Sequence, residues 1–194
     1  MAASVTGERI IIPEARLAFA DAIFEKKSVN GGEPQFGCTL IIPPTSPAVK
    51  LVQDEEERLA KLHWKDKADA MLQMIRAANG QALKPGALKM KFDGFQGNYF
   101  ISVNSKVRPT IVDRNGSPLT PSDGRPYSGC YVLGHISLWT QDNQWGQKIN
   151  ANLLGLQFLR DGDAFAGGPA PSAVDDFANL DAGGAPAEMG GLMD

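Results

Sequence analysis

The chain has 194 residues, 43% of them hydrophobic, enough to bury one substantial core. No run of 18 apolar residues occurs, and the start, Met1 to Arg9, lacks the basic segment and apolar stretch of a signal peptide, so the composition excludes a helical membrane protein and predicts a soluble, intracellular one. The formal charge of −3 hides an asymmetry: all 19 Lys and Arg lie at or before Arg160, where they face 15 acids, whereas residues 161–194 carry seven acids and no base.

In chain order, Arg9 to Phe19 reads as a strand, followed by the turn signal Asn30-Gly31-Gly32. A second strand, Gln35 to Ile42, alternates Phe36, Cys38, Leu40 and Ile42 on one face before Pro43-Pro44 stops it. Asp54 to Asn79 is predicted as one amphipathic helix, with acids in its first turn, Ala68, Met71, Leu72 and Ile75 at helical spacing, and Asn79-Gly80 as its stop. Four strands follow, Asn98 to Asn104, Val107 to Asp113, Cys130 to Thr140 and Gln147 to Phe158, with turn signals at Asn115-Gly116, Asp123-Gly124 and Asp142-Asn143. Strands at hairpin spacing around one helical insertion favour a mainly β, small closed barrel over a parallel α/β sheet. Cys38 and Cys130 both fall in apolar strands and read as small core residues.

Residues 162–194 contain 18 Gly, Pro or Ala among 33, too little apolar surface to offset the entropy of ordering, so a disordered acidic tail is expected there and one domain over 1–161. Within the tail, Asp175, Asp176, Phe177, Leu180 and Asp181 form an acidic stretch punctuated by apolar anchors, suited to a basic-rimmed groove on a partner.

The residues that carry a functional reading lie between 84 and 114, where Lys84, Lys89, Lys91, Lys106, Arg108 and Arg114 face only Asp93 and Asp113, and Phe92, Phe95, Tyr99 and Phe100 are interleaved. Cations that follow phosphates and rings that stack on bases are what single-stranded nucleic acid requires. Lys89, Lys91, Lys106, Arg108 and Arg114 are therefore expected to form an electrostatic track, and Phe100, Tyr131, Trp139 and Trp145 the stacking surfaces. In the strand from Cys130, Val132, Ile136 and Leu138 share one face, and Tyr131, Leu133, His135, Ser137 and Trp139 share the other. Trp145 and Lys148 sit on a polar hairpin tip, where a tryptophan either meets bases or folds back over the barrel mouth.

An enzyme is not indicated. A nuclease built on Asp93, Asp113 and Asp142 would need carboxylates converging on a metal, and these three are scattered in turn-like contexts. No P-loop, dinucleotide fingerprint or nucleophile motif is present, and His63 and His135 lack partners at zinc-ligand spacing, so neither cofactor nor metal is implied. A structural or scaffold protein with a protein-binding barrel would explain the tail but not the basic, aromatic window.

The segments Asn104 to Arg114, Tyr127 to Val132, Leu156 to Asp163 and Asp175-Asp176-Phe177, in this order and spacing, resemble phage single-stranded DNA-binding proteins of the podophage replication type. The resemblance implies an OB-fold with an inserted helix, sequence-tolerant binding of single strands in phage replication, recombination and repair, and a cytoplasmic setting in the infected bacterium. It also implies an acidic tail that competes with DNA and contacts a polymerase, helicase or recombinase; a homodimer or a cooperative array on DNA is compatible with it. One departure stands out, since the chain ends Gly191-Leu192-Met193-Asp194 and keeps its acidic–aromatic element inside, whereas related tails often finish on an aromatic residue.

Overall fold

A computed structural model describes residues 3–166. Its longest element, β1 (Thr6–Lys27), runs through two partners: residues up to Arg16 pair antiparallel with β6 (Tyr131–Asn143), and residues from Arg16 onward pair antiparallel with β2 (Gln35–Ile42). A strand can serve both because it bends, with register shifts between Ile12 and Ala15 and between Ala18 and Ala22, and with Phe19 at a φ of 52°. The expected strand Arg9 to Phe19 is thus the middle of a longer one. β2 has the predicted bounds, and its residues are nearly all buried.

β4 (Tyr99–Ser105) pairs antiparallel with β2 and parallel with β7 (Gly146–Arg160), and β7 pairs antiparallel with β6. The circuit β1-β2-β4-β7-β6 returns to β1, so the five strands close into a barrel with no free edge around it. The two-residue β3 (Lys84–Pro85) and the three-residue β5 (Thr110–Val112) add to β4 and β7 respectively. β5 is shorter than the expected Val107 to Asp113, because 106–109 turns away around Pro109, which has no N–H for a ladder. Inside the barrel lie fully buried Ile12, Leu40, Ile101, Val103, Ile136 and Leu138. Cys38 and Cys130 are buried there as free thiols. The chain is mainly β, an OB-fold-like barrel with a helical unit inserted between its second and third strands, as the sequence predicted.

The insertion is two helices rather than one. α1 (Pro47–Trp64) begins seven residues before the expected Asp54: Ser46 caps it by accepting from the Ala48 N–H at 3.2 Å, and Pro47 follows in the first turn. The acids 54–57 therefore lie within the helix instead of at its start. Lys65, at a φ of 50°, ends α1, and a single 3₁₀ turn leads into α2 (Ala68–Ala77). Asn79, at a φ of 54°, and the Gly80 N–H bonded to the Ile75 carbonyl form the expected stop. Three polar contacts fasten the unit to the barrel and to itself. Buried Glu56 accepts from the Leu83 N–H at 2.9 Å, His63 Nδ1 lies 2.9 Å from the Thr140 hydroxyl, and Trp64 Nε1 donates to Asp142 at 2.9 Å.

Candidate nucleic-acid interface

Barrel closure brings one cross-strand row of side chains together on the outside. Lys84 of β3 is opposite Phe100 of β4, Phe100 opposite Ile41 of β2, Ile41 opposite Arg16 of β1, Arg16 opposite Tyr131 of β6, and Tyr131 opposite Arg160 of β7. Opposed residues in a sheet share a face, so this is a single rung across six strands, roughly 24 Å along its five gaps at ~4.8 Å per strand. Cations occupy its ends and its centre.

The rung is not bare sheet. The segment from Gly86 to Gly97 folds over it, and Phe95 packs on Ala18, Ile41 and Phe100 to make a second small core outside the barrel. Phe19, displaced outward by its positive φ, lies edge-on to Phe92 at 5.2 Å between centroids, and both rings stay open to solvent, at 38% and 41% exposure. Lys89 projects over Phe19 at 4.9 Å and over Phe100 at 5.2 Å, while Lys91 lies over Phe92 at 5.4 Å. Burial holds the Lys89 amine below its usual range. At the other end the Arg160 guanidinium stacks on Tyr131 at 3.6 Å and pairs with Glu14.

The chain beyond Arg160 stays on this surface as far as Ala166. Tyr127 donates to Asp161 at 2.7 Å and accepts from the Gly162 N–H at 3.2 Å. Arg16 donates to the Gly129 and Asp163 carbonyls at 3.1 and 2.9 Å, and the Phe165 N–H bonds the Ser128 carbonyl at 3.0 Å. The Phe165 ring ends 4.3 Å under the Arg16 guanidinium and against Gly94, where an added Cβ would approach it to 2.7 Å. Burial raises the Tyr127 phenol to about 12, aided by its bond to the Asp161 carboxylate.

The predicted residues are distributed unevenly over this arrangement. Lys89, Lys91 and Tyr131 belong to it. Phe100 does too, but expected as an open stacking surface it is 2% exposed: Phe95 and Lys89 cover its ring, and its role is to support the rung. Lys106 lies at the far end of β4 and is paired with Glu33 at 2.7 Å, Arg108 is exposed in the following loop, and Arg114 is exposed in the turn after β5. Trp139 is eight residues up β6 from Tyr131, about 26 Å at ~3.3 Å per residue, and half-buried. Trp145 is 75% exposed at the β6–β7 hairpin tip, so it does not fold back over the barrel mouth; Lys148 is exposed beside it.

Missed were Arg16, Phe19, Arg160 and Phe165 as members of one surface, while Lys84 and Phe92 stood in the basic, aromatic window but outside the expected track and stacking set. They come from stretches far apart in sequence, joined by the register of the sheet and by the packing of the covering segment and the chain beyond Arg160. Asp113 is tied to Arg125 at 2.8 Å, and Asp142 accepts from Trp64 and Gln147, so these two acids serve separate structural contacts. The tail residues Asp175, Asp176, Phe177, Leu180 and Asp181 lie outside the described residues. Among the described residues no helix is long and apolar enough to cross a membrane.

The fold and this surface together define an OB-fold-like barrel protein with a basic, aromatic outer face. Residues 8–187 match the family described as Enterobacter phage Enc34, ssDNA-binding protein, and the chain belongs to that family. It is 36% identical over 176 residues to protein p50 of Acyrthosiphon pisum secondary endosymbiont phage 1, covering 89% of this chain and 94% of that one. Among solved structures it resembles the single-stranded DNA-binding protein from bacteriophage Enc34 in complex with ssDNA, at 25% identity and a TM-score of 0.68 over 81% of this chain and 89% of the other. It shares its fold with gp2.5, a single-stranded DNA-binding protein encoded by bacteriophage T7, at 15% identity and a TM-score of 0.54 over 80% of this chain and 93% of the other.

Proposed function

We propose that this chain binds single-stranded DNA without catalysis and without reading sequence, laying the strand across the rung from Lys84 to Arg160. The observation that carries this reading is the outer face built on the rung: Arg16, Tyr131 and Arg160 on the sheet, with Lys89, Lys91 and the open rings of Phe19 and Phe92 beside them, meet both needs of an unpaired strand at one place. Family membership supports it, as does the relative from bacteriophage Enc34 that was solved with ssDNA. In this reading the protein covers single strands during phage DNA replication, recombination and repair in the cytoplasm of the infected bacterium. The acidic tail competes with DNA for the cationic face and recruits a polymerase, helicase or recombinase. The charge asymmetry of the sequence supports the competition, and so does the path of 161–166, which leaves the barrel beside Arg16.

The test is a titration of the intact protein with poly-dT, poly-rU and duplex DNA across a salt series, followed by tryptophan quenching. Tight, salt-sensitive binding of poly-dT over duplex is expected. Replacing Arg16 and Arg160 together by Ala should flatten the dependence of log K on log salt by about 0.7 for each phosphate that is no longer neutralised. A double variant with unchanged affinity and slope would remove the rung from the interface. Failure of wild-type and tail-deleted protein alike to bind would leave a protein-binding barrel as the better account.

A further inference from the structure

The seam that closes the barrel, between β4 and β7, is short, and the chain leaving the helical insertion extends it. β4 and β7 pair only at Val103 with Ala151 and at Asn104 with Asn152. Toward the start of β4 the two strands are bridged by the chain leaving α2: the Ile149 N–H of β7 donates to the Gly80 carbonyl at 2.9 Å, and four residues later Lys84 pairs with Phe100 of β4. Lys148 packs its stem against Gly80, where an added Cβ would lie 3.3 Å from its Cγ. Lys89 reaches the same place from the covering segment, over the ring of Phe100 opposite Lys84.

Three ammonium groups therefore converge over the seam. Among the described residues, none of them has a carboxylate within ion-pair distance. Glu56, the acid whose charge acts on Lys84, is engaged by the Leu83 N–H and by Arg76 at 3.6 Å. Like charges held together without a counter-ion are unfavourable unless an anion joins them. Burial, and the ammonium groups of Lys148 and Lys89, hold the Lys84 amine below its usual range, against the opposing pull of Glu56.

We infer that Lys84, Lys89 and Lys148 form a seat for one backbone phosphate, through which a bound strand leaves the rung, crosses the β4–β7 seam and reaches Trp145 on the β6–β7 hairpin. The seat rests on the single-strand reading above and extends it: it joins the rung to the hairpin, two surfaces that otherwise stand apart, and makes the track longer than the sheet row alone. The seat takes a phosphodiester and has no group that reads a base.

The experiment compares Lys84→Gln and Lys148→Gln with the wild type in the full-length chain, using dT oligonucleotides of about 12 nucleotides, within the range a single OB barrel can cover. Each substitution should weaken binding about tenfold, as expected for one charge-assisted interaction, and flatten the salt slope by about 0.7. The part of the quenching that Trp145 supplies, measured as the decrease on replacing it by Phe, should disappear in both variants. Lys148 is exposed, so its variant folds independently of any role Lys84 has in packing, and melting curves check both. If both variants bind the oligonucleotide with wild-type affinity and slope while the Arg16 and Arg160 double variant is weakened, the seat is refuted and the rung stands. If the wild type binds no oligonucleotide at all, the function itself fails.

Discussion

Glu56 is a carboxyl group buried between α1, α2 and the loop before β3, a position no unpaired charge occupies cheaply. Burial, the largest influence on it, raises its pKa; the Leu83 N–H and Arg76 oppose that without reversing it. Between the ordinary glutamate value and this raised one, the unfolded chain has released a proton that the folded chain still holds, so stability falls as pH rises through that window. Glu56→Gln keeps an acceptor for the Leu83 N–H and has no charge to bury. Its melting temperature is expected to gain on the wild type as pH is raised from below the ordinary glutamate range toward neutral. A gap that stays flat or closes over that range would show that Arg76 neutralises the site. At this scale the sequence conveys residue type and little else: Glu56 stands in a run of acids, Asp54 to Glu57, that looks uniformly solvated. Phe100 is the converse case, an aromatic in a basic window whose ring is covered from outside the barrel.

Among the elements, strands were the more legible. β2, β4, β6 and β7 stand within a few residues of the positions their alternation predicts, because a strand with one face in a closed core repeats every two residues. The helical insertion was legible in existence and in its stop, but not in its start or its break. Ser46-Pro47 follows Pro43-Pro44 with only Thr45 between and looks like more of the same turn, and nothing around Lys65 announces a residue with positive φ. Ser46→Ala should cost about 1 kcal/mol of stability, the typical worth of such a cap, read by denaturant unfolding. A cost near zero would mean that Pro47 and the packing of Val52 fix the helix start without the side-chain bond. The strap from Asp161 to Ala166 was not legible as structure at all. It is held by Tyr127, Arg16 and Ser128, none of them its neighbour in sequence, and it depends on Gly129, whose φ of 110° and closeness to the Asp163 carbonyl leave no room for a Cβ.

Over the whole molecule the charge is divided between a basic body and an acidic C-terminal stretch, and the strap lies against the basic body as far as Ala166. The stacking of Arg16 on Phe165 sets the point from which the remaining chain starts, at the centre of the cationic rung. The five acids beyond Ala166, tethered there, have a high effective concentration relative to the same acids free in solution, and salt screens them over about 10 Å at 0.1 M. Removing residues 167–194 and leaving the strap in place should tighten single-strand binding at low salt, with the difference shrinking as salt is added. Weaker binding by the truncated chain would overturn the competition and make the tail part of the DNA site.

By itself the sequence determined the class of fold, the division of charge and the basic, aromatic composition of the 84–114 window, because composition and two-residue periodicity are properties of contiguous residues. Of the residues it singled out, Tyr131 is a member of the rung, and Lys89 and Lys91 are on the segment that covers it. Only the tertiary structure decided that Arg16 and Arg160, 144 positions apart, flank the same tyrosine, that Lys84 and Lys148 lie on the two sides of the seam, and that Trp139 stands far from the rung while Phe100, a member of it, is covered. The physical reason is register. A rung across six strands is fixed by which hydrogen bonds each pair of strands makes, and those depend on every strand finding its core-facing residues at once, which no window of the chain contains.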